Sequence, residues 1–227
     1  MWRIRRWPND RTVAHLIYVD HLVMPTPASV STALEQARRS GAQAIRTSAL
    51  FPRVAEIMYQ AGFETIDRLM LLRRDLSDAV VSTSRESVHR TRSFHPWHLS
   101  GAVAVDQDAF GPVWGNDIAG LREIRRATPH NRARLVRVGR TVAGFAISGA
   151  ALDSGYLQRL SVGSTFRRRH IAHELVVDSL QWMHGRGLAA AYVNTGVSNV
   201  AALSLYEQLG FEALDDELII AGRRLDS

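Results

Sequence analysis

The chain has 227 residues, 46% hydrophobic and 22% charged, a balance that suits one large folded domain or two small ones. It contains no Cys, which excludes disulfides, thiolate metal sites and cysteine nucleophiles, and no metal-ligand set is expected. The net charge of +6 is carried by Arg alone, with no Lys, and is uneven: residues 1–92 hold 14 Arg against 9 acids, residues 93–227 hold 14 against 13. Without a groove-reading motif or interleaved basic and aromatic residues, this charge makes nucleic acid an unexpected partner. No apolar run approaches the roughly 18 residues of a membrane span. Asp10, Arg11, His15 and Asp20 interrupt the segment after the basic start, so no secretory signal and a cytoplasmic location are expected.

In chain order, the stretch Met24 to Thr32 (MPTPASVST) carries two Pro, which remove amides and fix φ. A helix is predicted over Ala33 to Arg39, ended by Gly41, then a strand over Ala44 to Thr47. A helical run from Val54 stops at Gly62-Phe63, and Leu69 to Leu72 reads as a strand. Residues 77–97 are rich in Ser and Thr without a sustained period, which predicts a linker between residues 1–76 and 98–227. Beyond it, helices are predicted over Leu99 to Phe110 and Asn116 to Ala127, separated by Gly111-Pro112 and Trp114-Gly115. Arg134 to Val138 and Val142 to Ile147 flank Gly139-Arg140 as a hairpin, and Tyr156 to Val162 is the next strand. Ile171, Leu175, Val176, Leu180 and Met183 form a helical stripe closed by Gly185 and Gly187. A strand at Ala190 to Val193, a helix through Ala201, Leu205 and Leu209 ended by Gly210, and a strand at Leu218 to Ala221 complete the order. Helices interleaved with strands predict an α/β fold with a mixed central sheet.

A weak internal repeat runs through this order. Gly41, a strand, a helix with Tyr59 and the stop Gly62-Phe63-Glu64 match Gly187, a strand, a helix with Tyr206 and the stop Gly210-Phe211-Glu212.

The pattern NxxAxxLYxxLGF from Asn199 to Phe211 resembles motif B of the GNAT acetyltransferases. Leu160 to Leu175 (LSVGSTFRRRHIAHEL) is similar to their motif A, a strand, a basic loop and a helix, except that His170 and Ala172 stand where the family usually has Gly. The resemblance covers residues 98–227 and implies an N-acyltransferase that takes acetyl-CoA as donor and an amine as acceptor. Arg167, Arg168, Arg169, His170, Ile171 and Ala172 would cradle the CoA phosphates, using free amides at a helix N-terminus and Arg forks. Leu160, Ser161 and Val162 would pair with the pantetheine arm as an added strand pairs with a sheet edge. Asn194 and Asn199 would line the opening, Asn199 serving as helix cap or CoA contact. Tyr206 would protonate the leaving thiolate. Asp153 lies near where family members often carry a base, with Asp106, Asp108 and Glu123 as further candidates. His95, Trp97, His98 and Trp114 either face the acceptor or fill core and loop. The N-terminal copy, lacking the Asn equivalent and any Arg between Arg11 and Arg38, is expected to be a degenerate GNAT-like half kept as scaffold. A CoA-binding sensor without catalysis is the alternative, supported by His170.

Overall fold

The computed structural model describes residues 2–19, 23–77 and 89–225. Residues 78–88 of the expected linker, and His21-Leu22 before the Pro-containing stretch, lie outside them. The described elements are β1 (Trp2–Trp7), β2 (Asp10–Tyr18), α1 (Pro27–Arg39), β3 (Ala44–Thr47), α2 (Pro52–Gln60), β4 (Glu64–Asp75), β5 (Arg92–Ser93), α3 (Leu99–Trp114), α4 (Ile118–Arg126), β6 (His130–Val138), β7 (Thr141–Ala151), β8 (Ser154–Val162), α5 (Ile171–His184), β9 (Ala190–Gly196), α6 (Val200–Gln208) and β10 (Glu212–Arg224). Strand pairing is mixed: β2–β3 and β8–β9 are parallel, while β1–β2, β3–β10, β5–β6, β6–β7 and β7–β8 are antiparallel.

Two compact units divide the chain: Met1–Leu71 with Asn194–Val200 and Ala213–Ser227, and Leu72–Val193 with Ala201–Glu212. The single cut expected at residues 77–97 does not describe them, because the last strand is not kept by the segment that precedes it. β10 pairs with β3 (Gly222 opposite Arg46, Arg224 opposite Ala44) and so belongs to the first unit.

In the first unit the strands run β1-β2-β3-β10-β4. The β1–β2 hairpin was not anticipated; it turns at Pro8-Asn9, with Asn9 in the left-handed region at φ 65°. That region is one Asn tolerates better than most residues. Helix α1 starts six residues before Ala33, correcting the reading of its Pro-containing lead. Pro27 sits at the first helical position, where the missing N–H would be unpaired in any helix. Thr26 and Ser29 cap each other's backbone amides at 3.2 and 3.1 Å. The core is formed by Leu16, Val30, Ile45, Met58, Phe63 and Ile219, all buried.

In the second unit, β5 to β9 run in the order β9-β8-β7-β6-β5. Helix α5 buries Leu175, Val176, Val177, Leu180 and Met183, each at most 1% exposed. Such burial contributes up to about 1.5–3 kcal/mol for each large side chain. Its seat requires Gly155 and Gly144, because an added Cβ would meet Met183 Sδ at 2.6 Å or Ile171 Cγ2 at 2.9 Å.

The repeat seen in the sequence recurs as repeated hydrogen bonds. Ala42 N donates to Ala37 O and Leu188 N to Met183 O, each around a left-handed Gly, Gly41 or Gly187. Phe63 N donates to Met58 O and Phe211 N to Tyr206 O around Gly62 and Gly210. An Arg supports each stop from a strand: Arg223 donates to Ala61 O, Arg74 to Leu209 O. Leu225 N to Gln43 O matches Leu76 N to Ala189 O. These pairs correct one residue of the expected register. The counterpart of Tyr206 is the buried Met58, whereas Tyr59 corresponds to Glu207 and bonds Thr65 Oγ1 at 2.7 Å.

Candidate active site

The parallel ladder between β8 and β9 covers Ser154–Tyr156 against Ala190–Tyr192 and stops. On its other side β8 stays paired with β7 as far as Val162 opposite Gly144. Among the described residues, the edge of β8 from Leu157 to Val162 therefore has no partner strand. Its outward amides and carbonyls can take up an extended polar arm.

This edge leads into the Arg loop. Gly163 N bonds Ala143 O at 3.0 Å, Ser164–Phe166 make a single tight turn, and Arg167 to His170 are exposed. Arg169 lies over the Phe166 ring, 5.7 Å from its centroid. Arg168 and His170 are both left-handed, at φ 60° and 59°. His170 immediately precedes α5, so the place where the family favours Gly is one where the backbone demands a conformation Gly adopts without strain. No side chain caps α5. Its leading amides, the positive end of its dipole and three Arg thus converge at the end of the open strand edge.

Helix α3 is fastened to this region by two carboxylates. Asp106, fully buried, accepts from Arg159 Nε and Nη2 at 2.7 Å each, from Ser161 Oγ at 2.5 Å, and from Asn116 N and Nδ2 at 2.7 and 3.1 Å. With its lone pairs so occupied, Asp106 is removed from the list of bases. Asp108 accepts from Ser164 N and Oγ, and the backbone N–H above all holds its carboxyl below the usual carboxylate range. The sequence carries one signal for this clamp: Arg159 inside YLQRLSV, a charge in a strand, demands a partner.

Tyr206 on α6 is buried and packs edge-on against Phe211, with centroids 5.6 Å apart. Burial pushes its hydroxyl pKa well above the usual value, so the group stays protonated and able to donate. Asp153 is set apart. It occupies the exposed turn before β8, at the closed end of the β8–β9 ladder, and Ser154 Oγ donates to it at 3.0 Å. Nine strand residues, roughly 30 Å at 3.3 Å each, separate it from the Arg loop. Leu160 to Ala172, Asp153 and Tyr206 fall in the second unit, while Asn194 and Asn199 fall in the first. Asn199 spends one amide hydrogen on Thr195 Oγ1 at 3.0 Å. Glu123 lies on α4. Trp114 contributes its carbonyl to Arg159 at 2.9 Å.

A family model described as Acetyltransferase (GNAT) family matches residues 94–211. The chain belongs to the GNAT acetyltransferase family. Among its relatives is the [Ribosomal protein bS18]-alanine N-acetyltransferase of Escherichia coli K12, 33% identical over 113 residues, covering 50% of this chain and 74% of that protein. Another is N-alpha-acetyltransferase 30 of Schizosaccharomyces pombe, 40% identical over 146 residues, covering 64% and 75%. The fold resembles that of a tandem GNAT protein from the clavulanic acid biosynthesis pathway, with TM-score 0.67 and 14% identity over 95% of this chain and 76% of the other. This GNAT protein is an acyl-CoA-dependent N-acetyltransferase with acetyl-CoA as donor and an amine as acceptor. No described helix is long and apolar enough to cross a membrane.

Proposed function

We propose that the chain binds one acetyl-CoA, along the open edge of β8 and the Arg167–Ala172 loop, and acetylates an amine presented by a polypeptide. The observation that supports the donor site most is the β8–β9 ladder stopping beside an uncapped, Arg-flanked α5. The polypeptide acceptor rests on the names of the two relatives. The amine nitrogen attacks the thioester carbon, forming C–N and breaking C–S. The thiolate takes the Tyr206 hydroxyl proton, the amine gives its proton to solvent, and Tyr206 regains one from solvent, so no carboxylate base is assigned. Backbone donors on the strand edge oppose the charge that develops on the carbonyl oxygen. In this reading the N-terminal copy is a scaffold: its counterpart of Tyr206 is Met58, its helix α1 is capped by Thr26 and Ser29, and β2–β3 pair over every residue of β3.

Two measurements test this on the full chain. Calorimetric titration with CoA is expected to give a stoichiometry near one; a value near two overturns the scaffold role. A panel of short peptides and small amines, read as free CoA from acetyl-CoA, is expected to favour peptides. Preference for small amines overturns the acceptor, and CoA binding without release under any acceptor makes the chain a sensor.

A further inference from the structure

A groove of about 540 Å³ lies wholly within the second unit, at the β5–β6 edge and the turn leading into α3. Its walls carry Arg90, Arg92, Arg134, Arg137, His95 and His98, with Thr91 and Ser93 between them and no carboxylate. Arg134 is neutralised from behind. It pairs with Asp178 at 3.1 Å and donates to Thr91 and Ser93, pinning β5 to β6. Among the described residues Arg90, Arg92 and Arg137 have no carboxylate partner; Arg137 donates to the Arg140 carbonyl. Three guanidinium groups around one groove, without a carboxylate partner among the described residues, raise the local potential and attract a ligand with several negative charges.

The rim adds a second feature. Trp97 is 72% exposed, an unusual place for an indole, and stacks flat on His95 with centroids 4.4 Å apart and planes 13° from parallel. His98 turns its Nδ1 to accept from His95 N at 3.0 Å, which leaves its other ring nitrogen as the donor. The indole stacks on His95, the tilted His98 ring lies 5.7 Å from it, and most of its surface remains exposed. A flat aromatic face beside unpaired Arg is the pairing of features that binds unpaired nucleobases and their phosphates together. A duplex keeps its base faces stacked on each other and gains nothing from such a ring, while a carboxylate-rich peptide would use the charges and leave the indole idle.

We infer that this groove binds a short single-stranded nucleic acid segment, its phosphates on Arg90, Arg92 and Arg137 and one base on Trp97. The fold makes a site the sequence conceals, because residues 90–98 and 134–137 meet only across the β5–β6 ladder. The groove is built from none of the residues assigned to acetyl-CoA, so it stands or falls apart from the donor site.

The test uses the full chain and a fluorescent 12-nucleotide single-stranded RNA in anisotropy titrations. Three phosphate contacts predict a log–log salt slope near −2, roughly a fifteenfold loss of affinity between 50 and 200 mM salt. The double variant Arg92→Glu/Arg137→Glu should weaken binding more than tenfold and flatten that slope. Trp97→Ala should weaken it roughly tenfold and leave the slope intact. CoA titration and thermal melting of the same variants, expected unchanged, exclude misfolding. The inference is overturned by RNA affinity indifferent to both variants, by absence of binding at 50 mM salt, or by a polyglutamate or duplex competitor as effective as the single strand.

Discussion

The β2–α1–β3 and β8–α5–β9 segments begin from one plan and end in opposite states. β2 and β3 pair from Val13–Ala44 to Leu16–Thr47, and Ser48 N continues onto Leu16 O at 2.9 Å. β8 and β9 pair over three rows and part. In helix α1 the Ser29 amide donates to Thr26 Oγ1 and the Thr26 amide to Ser29 Oγ, while α5 begins at an uncapped, left-handed His170. A closed ladder and a capped helix are the lower-energy solutions for a backbone. Leaving both undone, at the same point of one copy, keeps polar groups available for something that is not protein. The two segments of this GNAT protein thus differ in the bonds that one makes and the other leaves unmade.

Three measurements sharpen or break the contrast. The largest effect is expected from Tyr206→Phe, which removes only the hydroxyl and should lower kcat by about 10²–10⁴ with CoA affinity nearly intact. Under conditions where chemistry limits the rate, an unchanged kcat ends the role of Tyr206. Met58→Leu, at the matching position, should leave kcat alone.

The second concerns the closed copy. Burial, with the nearby Arg5 adding to it, lowers the His15 pKa to about 4 from an ordinary 6.5. The ring packs edge-on against Trp7 at 4.9 Å. Because the folded pKa is the lower one, the unfolded chain binds more protons between about pH 4 and pH 6.5. The stabilisation is therefore complete above 6.5 and lost as pH falls through that window, by about 3 kcal/mol at most. Denaturant melts at pH 7 and pH 4.5 should show the loss, and His15→Gln should reduce it. An equal loss in the variant shows that other groups carry it.

The smallest effects lie in the loop. Arg168→Glu should weaken CoA binding at least tenfold and make the residual binding less sensitive to salt. His170→Gly removes a left-handed side chain and should stabilise the fold by about 0.5–1 kcal/mol, with equal or better CoA affinity. If affinity instead falls with Gly and ignores the charge reversal, the phosphates do not sit on this loop.

Much of the fold was legible because local signals were strong. The strand YLQRLSV, the α5 stripe and its Gly stops, and the Gly210-Phe211 stop each depend on neighbours within a turn or two. The elements that escaped depend on distant partners or on turn chemistry. The β1–β2 hairpin hides behind Pro8-Asn9 and a run of Arg. The first half of α1 was concealed by Pro27, which breaks helices everywhere except where it stands. Tyr59 invited alignment with Tyr206 by its ring, and only the carbonyl that accepts from Phe63 shows Met58 in its place. Asp106 was misleading for a related reason: a carboxylate in a sequence does not disclose that Arg159, two strands further along the chain order, has already claimed it.

The pairing of β10 with β3 also dictates when the molecule can finish folding. Leu225 N, just beyond β10, reaches Gln43 O, just before β3. A nascent chain emerging from the ribosome holds β1, β2 and β3 long before β10 exists. The first unit must therefore wait, with the flank of β3 unpaired, until β10 has been synthesised. Such long-range closure slows folding and leaves a strand edge open to other partners in the meantime.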